Sequence, residues 1–373
     1  MNLIPPTVLI STVGASLIGS LEKPPASAGE QQDALNIAFL AENWPAVVRE
    51  LRIIDPTARR CGAEINTVHE LLYGRHPVSK TADLHFCVSE TPYGETMKQL
   101  LKLYYETSEN RVLFHTIEGL QDQDENRFRR IGLRSLVQKI ADITRRAGGS
   151  EFVAINATGG YKAQIALAAI IGQALGITVY YKHEMFPGVI ALPPMPVSFD
   201  FDLFGREAGI LLALEQNDEI FPGDLEINEQ LLPLLDEVEE GGQRLAGLSA
   251  MGQLYLEGFR LRNPPEKTLP PAVLESDKRT PTFRDDHYPD GFKEYVAKVW
   301  RETPYIKSCH SVPYDGQRGI RDRVFYLRPK DNDVIGEFRH DNFGARFAIT
   351  TSATGQGQKL AVVDDLSRRY GRG

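Results

Sequence analysis

The chain has 373 residues, 42% of them hydrophobic, with a formal net charge of −8. That suffices for two or three domains with buried cores, and the acidic balance excludes a module held on nucleic acid by bulk charge alone. Three cysteines, Cys61, Cys87 and Cys309, stand far apart without a C-x-x-C pair, so neither a disulfide framework nor a zinc site is expected.

Residues 1–197 alternate apolar strands with amphipathic helices. "TVLISTVG" reads as a strand ending in a glycine turn. "ADLHFCVS" is a second strand, followed by the helical "GETMKQLLKLYYE". "NRVLFHTIEGL" precedes the helix "GLRSLVQKIADITRRAGG", and "EFVAINATGG" runs into "YKAQIALAAIIGQALGITVYY", a helix and another buried strand. This order predicts an α/β fold, a Rossmann-like doubly wound parallel sheet. The N-terminus lacks a basic leader and carries two prolines, so it is expected to begin a strand rather than a signal peptide. The apolar run 163–181 is interrupted by Gln164, Gln173 and "LGIT", which argues against a membrane span. A soluble, cytoplasmic protein is expected.

"LPPMPVSFDFD" (192–202) reads as an exit linker. Residues 203–262 read as mostly helical, including "LFGREAGILLALEQ", "INEQLLPLLDEVEE" and "SAMGQLYLEGFRL", a winged-helix-like connector. Residues 200–243 hold 13 acidic side chains against one basic residue, Arg206. The proline-rich, charged stretch 262–289 marks a further boundary. A short helix, "GFKEYVAKVWRE", then leads to strand-like runs at "DRVFYLRP", "DVIGEFRH", "ARFAITTS" and "KLAVVDDL", which predict a small α+β domain. The expected domains are thus 1–197, a connector at 198–283, and 284–373. The last of these holds 16 Lys/Arg against 13 Asp/Glu, a net of 16 − 13 = +3, which leaves 26 − 37 = −11 for residues 1–283.

In a doubly wound sheet, ligands sit beyond the carboxyl ends of the strands. Here those ends are "STVGAS" (11–16), "SETPYG" (89–94) and "NATGGYK" (156–162), all rich in small polar residues and glycine. Lys162 falls in the first turn of its helix, where the dipole disfavours a cation but favours an anion countered by one. The plain alternative is a solvated lysine beside a tight turn. Neither G-x-x-x-x-G-K-[ST] nor a strand-borne G-x-G-x-x-G occurs, so an ATPase or dinucleotide reading starts poorly.

The series "VLISTVGASLIGSL", "GAEINTV", "LHFCVSETPYG", "IEGLQDQDENRF" and "INATGGYKAQIALAAIIGQALGITVYYKHEMFPGVIALPPMPV" resembles the CARF domains of type III CRISPR effectors over nearly all of residues 1–197. The resemblance implies a homodimer whose paired domains bind a cyclic oligoadenylate as activator. Four adenylates suit a two-fold site best. Lys162 and the N–H groups around Gly159 and Gly160 would hold phosphates. Ser11, Thr12, Gly14, Ser16, Ser89, Thr91, Asn156 and Thr158 would bond phosphate, ribose or base edges. Family members with a serine and a lysine at the positions of Ser11 and Lys162 include some that cleave the ring, so weak ring-nuclease activity is a further expectation. No cofactor and no metal are implied.

Many CARF proteins carry a HEPN ribonuclease, but no histidine here follows an arginine at that motif's spacing. Pairs such as Arg111–His115, Arg279–His287 and Arg301–His310 have three, seven and eight residues between them. Residues 284–373 instead resemble RelE-type mRNA interferases, in the order helix then antiparallel strands and in "GEFRHDNFGARFAI" followed by "KLAVVDDLSRRYGRG". The resemblance implies mRNA cleavage in the ribosomal A site. Arg346 would take the place of the family's catalytic arginine and Arg339 would lie one strand-turn earlier. Arg368 and Arg369 would follow the last strand, and Tyr370 would stack on a base. The family's lysine-rich pattern is replaced here by the arginines of "RGIRDR".

Arginine stays protonated near neutral pH, so its work on RNA is electrostatic and bidentate to phosphate rather than that of a general base. His340 and His310 are the alternative acid–base candidates, set against a reading as solvated surface residues. The expected function is a cyclic oligoadenylate-activated, ribosome-dependent endoribonuclease that arrests translation in antiviral defence. Its partners would be mRNA and the ribosome, through rRNA and a ribosomal protein surface, with no membrane. The alternatives are a CARF-type transcription regulator and a ribosome-independent single-strand RNase under the same ligand. The connector's 13 acids to one base argue against the regulator, because they give no footprint for a duplex.

Overall fold

A computed structural model describes residues 5–22, 33–75, 78–183, 186, 188–196, 199–216, 228–240, 243–264, 269–285, 287–313, 320–328 and 331–371. Part of the acidic stretch, 217–227, and the start of "RGIRDR", including Arg318, lie outside them. The chain divides into two compact units, Met1–Ser198 and Phe199–Gly373. Among the described residues no helix is long and apolar enough to cross a membrane.

Unit 1 is a mixed α/β layer built on six strands: β1 (Val8–Thr12), β2 (Asp83–Ser89), β3 (Val112–Ile117), β4 (Val153–Asn156), β5 (Thr178–Tyr181) and β6 (Ile190–Leu192). Their order is β3-β2-β1-β4-β5-β6, with the first five parallel and β6 antiparallel on the edge. β1 is buried at every position and pairs with β2 on one side and β4 on the other. A parallel strand covered on both faces has no place for alternation, which is why "VLIST" reads as one continuous run.

The helices of unit 1 are α1 (Ser16–Leu21), α2 (Ala34–Leu40), α3 (Trp44–Leu51), α4 (Gly62–Tyr73), α5 (Pro92–Tyr105), α6 (Leu133–Arg146) and α7 (Lys162–Leu175). Their starts follow from local chemistry. Asp33, Asn43 and Thr91 accept the N–H groups of Asn36, Ala46 and Gly94, and a proline opens α3 and α5. Gly176 closes α7 at φ +75°, the left-handed geometry that glycine adopts without strain. The core of this unit gathers Leu9, Leu17, Ile65, Leu84, Phe86, Leu100 and Ala154.

Unit 2 contains α8 (Asp202–Gln216), the hairpin β7 (Leu235–Glu240) and β8 (Gln243–Leu248), α9 (Ala250–Arg262) and α10 (Phe292–Glu302). An antiparallel sheet follows, of β9 (Ile306–Ser311), β10 (Val324–Leu327), β11 (Val334–His340) and β12 (Phe343–Thr351), and then α11 (Gln356–Tyr370). The sheet order is β10-β11-β12-β9. Residues from α8 and α9 share one core with the sheet and with α10 and α11: Phe204, Leu211 and Phe259 belong with Phe292, Phe325, Phe347 and Val363. The stretch 199–283 therefore lies inside the same compact unit as 284–373.

Three local expectations change. "LLPLLDEVEE" is a 3₁₀ turn, Glu229–Leu234, followed by the first strand of a hairpin rather than a helix. "KLAVVDDL" belongs to the helix α11, so Arg368 and Arg369 sit in the last turn of a helix and not after a strand. β9, "IKSCHS", is a strand with only one β-branched apolar residue, and it pairs with β12.

Candidate ligand and catalytic sites

The carboxyl ends of β2, β1 and β4 lie side by side, and β1 is the strand at which the connection order reverses. Such a switch point, here between β1 and β4, opens a crevice between the loops that leave the two adjacent strands. Here those loops touch. A Cβ on Gly14 would stand 2.5 Å from the Gly160 N, and one on Gly159 would stand 2.9 Å from both the Gly14 N and the Thr12 carbonyl. Gly160 takes φ +114°, which other residues rarely adopt. Backbone meeting backbone is what these glycines allow.

Beneath the loops the predicted polar residues form a bonded floor. The Asn156 amide donates to Ser11 Oγ at 3.3 Å, and both residues are buried. The Thr12 hydroxyl donates to the Gly159 carbonyl, and Asn156 Oδ1 accepts the Thr158 N–H at 3.2 Å. Thr158 Oγ1 accepts the Lys182 N–H at 3.0 Å, which ties β5 to the same edge. Ser89 and Thr91 share a 2.7 Å hydroxyl bond while Thr91 caps α5. Ser11, Thr12 and Asn156 thus shape the crevice from below and offer no surface to a ligand.

Glu64, at the start of α4, is the residue the sequence did not single out. It is 2% exposed, and its carboxylate accepts the Gly14 N–H at 3.1 Å and the Ser16 hydroxyl at 2.8 Å. Ser16 Oγ in turn accepts the Ala63 N–H at 2.9 Å. The pair reproduces a capping box across the chain, with Ser16 standing where α4 lacks a capping side chain of its own. The Gly14 N–H and the Ser16 hydroxyl, expected to face a ligand, are therefore committed to α4. Nearby, the Lys182 ammonium bonds the Asn66 side-chain oxygen.

What remains open is the start of α7. Lys162 is exposed in the first helical turn. The Tyr161 N–H donates to Gln164 Oε1 at 3.2 Å, while Gln164 Nε2 is buried with no partner among the described residues. That nitrogen would stand 3.4 Å from a Cβ on Gly160, so it borders the loop. The Tyr161 ring meets Phe128 edge-on at 5.3 Å, at the start of a π-helical turn, Phe128–Gly132. Burial pushes the Tyr161 phenol above its ordinary value, aided by Asp122 and opposed by a Ser89 hydrogen bond. Helix N–H groups, a lysine and an unsatisfied amide at one helix start form an anion-binding arrangement.

In unit 2 the predicted residues separate. Arg346 lies opposite Glu337 on the β11–β12 hairpin, and its Nε donates to Glu337 Oε1 at 2.8 Å. Arg321 Nε donates to Glu337 Oε2 at 3.1 Å, and the Tyr326 hydroxyl to Oε1 at 3.3 Å. Glu337 is only 1% exposed. Burial, with Glu337 beside it, pushes the Tyr326 phenol up to about 12. Arg339 and His340 are exposed at the hairpin end, where the Arg339 Nε donates to the Asp341 carbonyl at 2.8 Å. His310 pairs with Ala348, two residues along β12 from Arg346 and on the same sheet face.

The α11 residues serve the fold. Tyr370 is 6% exposed, its hydroxyl is bonded to Thr303 at 3.2 Å and to Arg369 at 2.8 Å, and its carbonyl accepts from the Tyr295 hydroxyl. A ring so enclosed is not presented to a base, contrary to the stacking expected of it. Arg369 bonds the Glu302 carbonyl and Asp365, and Arg368 pairs with Asp364 at 3.2 Å. Asp364 also holds the buried Arg260, which Glu215 grips at 2.6 and 2.7 Å. Among the described residues, no group of three or more His, Cys, Asp or Glu is placed to hold a metal ion.

No curated protein matched the sequence. In a search of solved structures, Can2 from Sulfobacillus thermosulfidooxidans, in complex with cyclic tetra-adenylate, overlaps 99% of this chain and 86% of its own, at 10% identity and a TM-score of 0.25. A likeness at that TM-score has no weight for fold or function. The family described as CRISPR-associated protein (Cas_APE2256) matches residues 59–195, a stretch that runs from the start of α4 to just past β6. Over that part of unit 1, which includes Glu64, the β4–α7 loop and Lys162, this chain is similar to a CRISPR-associated protein.

Proposed function

We propose that the chain is a ligand-gated endoribonuclease. A cyclic oligoadenylate, cyclic tetraadenylate foremost, binds across the β1–β4 edges of two paired copies. The 284–373 region then cleaves mRNA in the ribosomal A site. The observation that carries the ligand half is the start of α7, where the Gly159–Gly160 turn, Lys162 and Gln164 Nε2, which has no hydrogen-bond partner among the described residues, border one crevice. A phosphodiester there would take the helix N–H groups and the lysine together, while the glycines admit it close to the backbone. The similarity of residues 59–195 to a CRISPR-associated family supports a role in the same defence.

RNA cleavage by its own 2′-hydroxyl needs charge on the scissile phosphate stabilised and the leaving oxygen neutralised. Arg346 supplies the first, an interaction worth on the order of 2.7–4 kcal/mol for a preorganised donor. Strand alternation sets His340 on the face opposite Arg346, so His310, which shares the Arg346 face, is the histidine proposed for proton transfer once RNA is bound. With weak general-base chemistry on this surface, orientation must supply much of the rate, which favours an enzyme whose mRNA is held by the ribosome. Slow cleavage of the activator ring at Lys162 completes the reading.

The test is cleavage of a defined mRNA with and without bacterial ribosomes, across a panel of cyclic oligoadenylates. Cutting that requires both a ribosome and one ring is expected. Cutting of naked RNA would keep the gate and discard the ribosome, and tight ring binding without cutting would favour a regulator.

A further inference from the structure

Apart from both candidate sites, α4 and the end of α5 border a hollow of about 230 Å³ in unit 1. Ile65, Val68, His69, Leu72 and Tyr73 line it from α4, at the i, i+3, i+4, i+7 and i+8 spacing of one helix face. Tyr104 and Tyr105 of α5, with the turn that follows them, form the other wall. That turn precedes β3, which sets this wall at the amino ends of the strands, away from the crevice. Much of the lining is aromatic. The rings of His69 and Tyr73 lie 5.0 Å apart, and those of Tyr104 and Tyr105 meet edge-on at the same distance.

The polar groups of the lining are spent on the backbone, with one exception. Arg52 Nη2 donates to the Leu103 and Tyr104 carbonyls at 2.6 and 3.0 Å, closing the end of α5. The Asn110 amide donates to the Lys80 and Ala82 carbonyls at 2.9 Å each, and the Ser108 hydroxyl to the Tyr105 carbonyl at 2.8 Å. The Tyr105 hydroxyl has no hydrogen-bond partner among the described residues, although Tyr105 is only 8% exposed. Burial, with Tyr104 beside it, pushes this phenol well above its ordinary value, so it stays a hydroxyl and a donor near neutral pH. A phenylalanine would stack on Phe86 as the Tyr105 ring does, without burying an unpaired donor.

We infer that this hollow binds a small planar heteroaromatic molecule, whose acceptor atom takes the Tyr105 hydroxyl hydrogen while its ring lies between Tyr104 and the α4 face. A cavity of about 150 Å³ already takes a benzene, so this one has room for one or two fused rings. Ring walls favour a flat occupant through offset and edge-to-face packing. A water alone needs two or more polar partners to be held in place, and the donors named above are already committed to carbonyls.

The experiment uses the full chain and two flat bicyclic probes of similar size. Quinoline offers a ring nitrogen as acceptor, whereas indole offers only an N–H. Binding of each is followed by NMR titration of the probe with the wild type, Tyr105→Phe and His69→Trp. Quinoline should bind the wild type at one saturable site, and more tightly than indole. Tyr105→Phe should weaken quinoline by about 2- to 10-fold, the worth of one hydrogen bond, and leave indole unchanged. His69→Trp, which sets a larger ring on the wall, should weaken both. Because Tyr105→Phe breaks no bond between described side chains, its melting temperature should equal or exceed that of the wild type, which separates lost binding from lost fold.

Absence of saturable quinoline binding, or quinoline binding that Tyr105→Phe leaves as it was, would mean that the hollow holds solvent only and would overturn the inference. An equal loss of quinoline and indole in Tyr105→Phe would overturn it too, since the hydroxyl would then act through the shape of the wall and not as a donor.

Discussion

The two candidate sites are built from opposite materials. The edge of unit 1 is made of backbone: two loops close enough that glycine is required, a helix start, and one exposed lysine. The sheet face of unit 2 is made of long charged side chains steered by a buried carboxylate. A backbone site owes its specificity to shape and N–H direction, and is spoiled by adding an atom. A side-chain site is spoiled by removing one. Substitutions therefore test the two regions in opposite senses.

The largest effect expected is at the side-chain site. Arg346→Ala should reduce ribosome-dependent cleavage by about 10²–10³-fold, measured as single-turnover rates on a defined mRNA. A loss under tenfold would move the chemistry away from β12. Its buried partner makes a fold check necessary, since an unpaired Glu337 is costly, and the melting curve of the variant supplies it.

At the backbone site, Gly14→Ala places a methyl where the Gly160 N already stands. Ring binding by titration calorimetry should weaken by about tenfold or more, a cost of roughly 1.4 kcal/mol. Unchanged affinity would separate the 11–16 loop from the ligand. Smaller again is Tyr370→Phe, which removes hydroxyl bonds to Thr303 and Arg369. It should cost about 1 kcal/mol of stability, a shift of about 2–4 °C in the melting of a unit this size. No shift would argue that Tyr370 is kept for something other than holding α11.

The smallest effect concerns neither site. His85 Nδ1 and His115 Nε2 lie 3.0 Å apart on β2 and β3. Burial lowers both, and with His85 alongside, His115 falls to about 4. An imidazole depressed in the folded state binds its proton more readily when unfolded, so stability should fall as pH drops from about 6.5 toward 4. Melting curves across that window check this, and His115→Gln should flatten the slope. A slope unchanged by the substitution would contradict it.

The same contrast explains what could be read in advance. The parallel sheet was legible because strands such as "VLIST" and "FVAIN" are continuous apolar runs closed by small residues, and the carboxyl edge follows from topology alone. Glu64 stayed hidden because its partners, Gly14 and Ser16, are 50 and 48 residues away. In unit 2 the valines of "KLAVVDDL" mimic a strand, yet Leu360, Val363, Leu366 and Tyr370 recur at helical spacing and all are buried. "LLPLLDEVEEGGQRL" carried a hairpin signal in its paired glycines that the leucines outweighed. Glu337 was within reach: in "VIGEFRH" the carboxylate follows the apolar Val334, Ile335 and Gly336 and precedes Phe338, in the middle of a strand expected to be buried. The burial of Tyr370 was not, since a residue so near the end of the sequence is ordinarily exposed.

The most direct test of the gate compares mRNA cleavage on ribosomes as a function of cyclic tetraadenylate concentration for the wild type and Lys162→Ala. The predicted result is negligible cutting without ring and a half-maximal concentration at least about tenfold higher in the variant, with both curves reaching the same plateau. Full cutting in the absence of ring, or superimposed curves, would contradict the account.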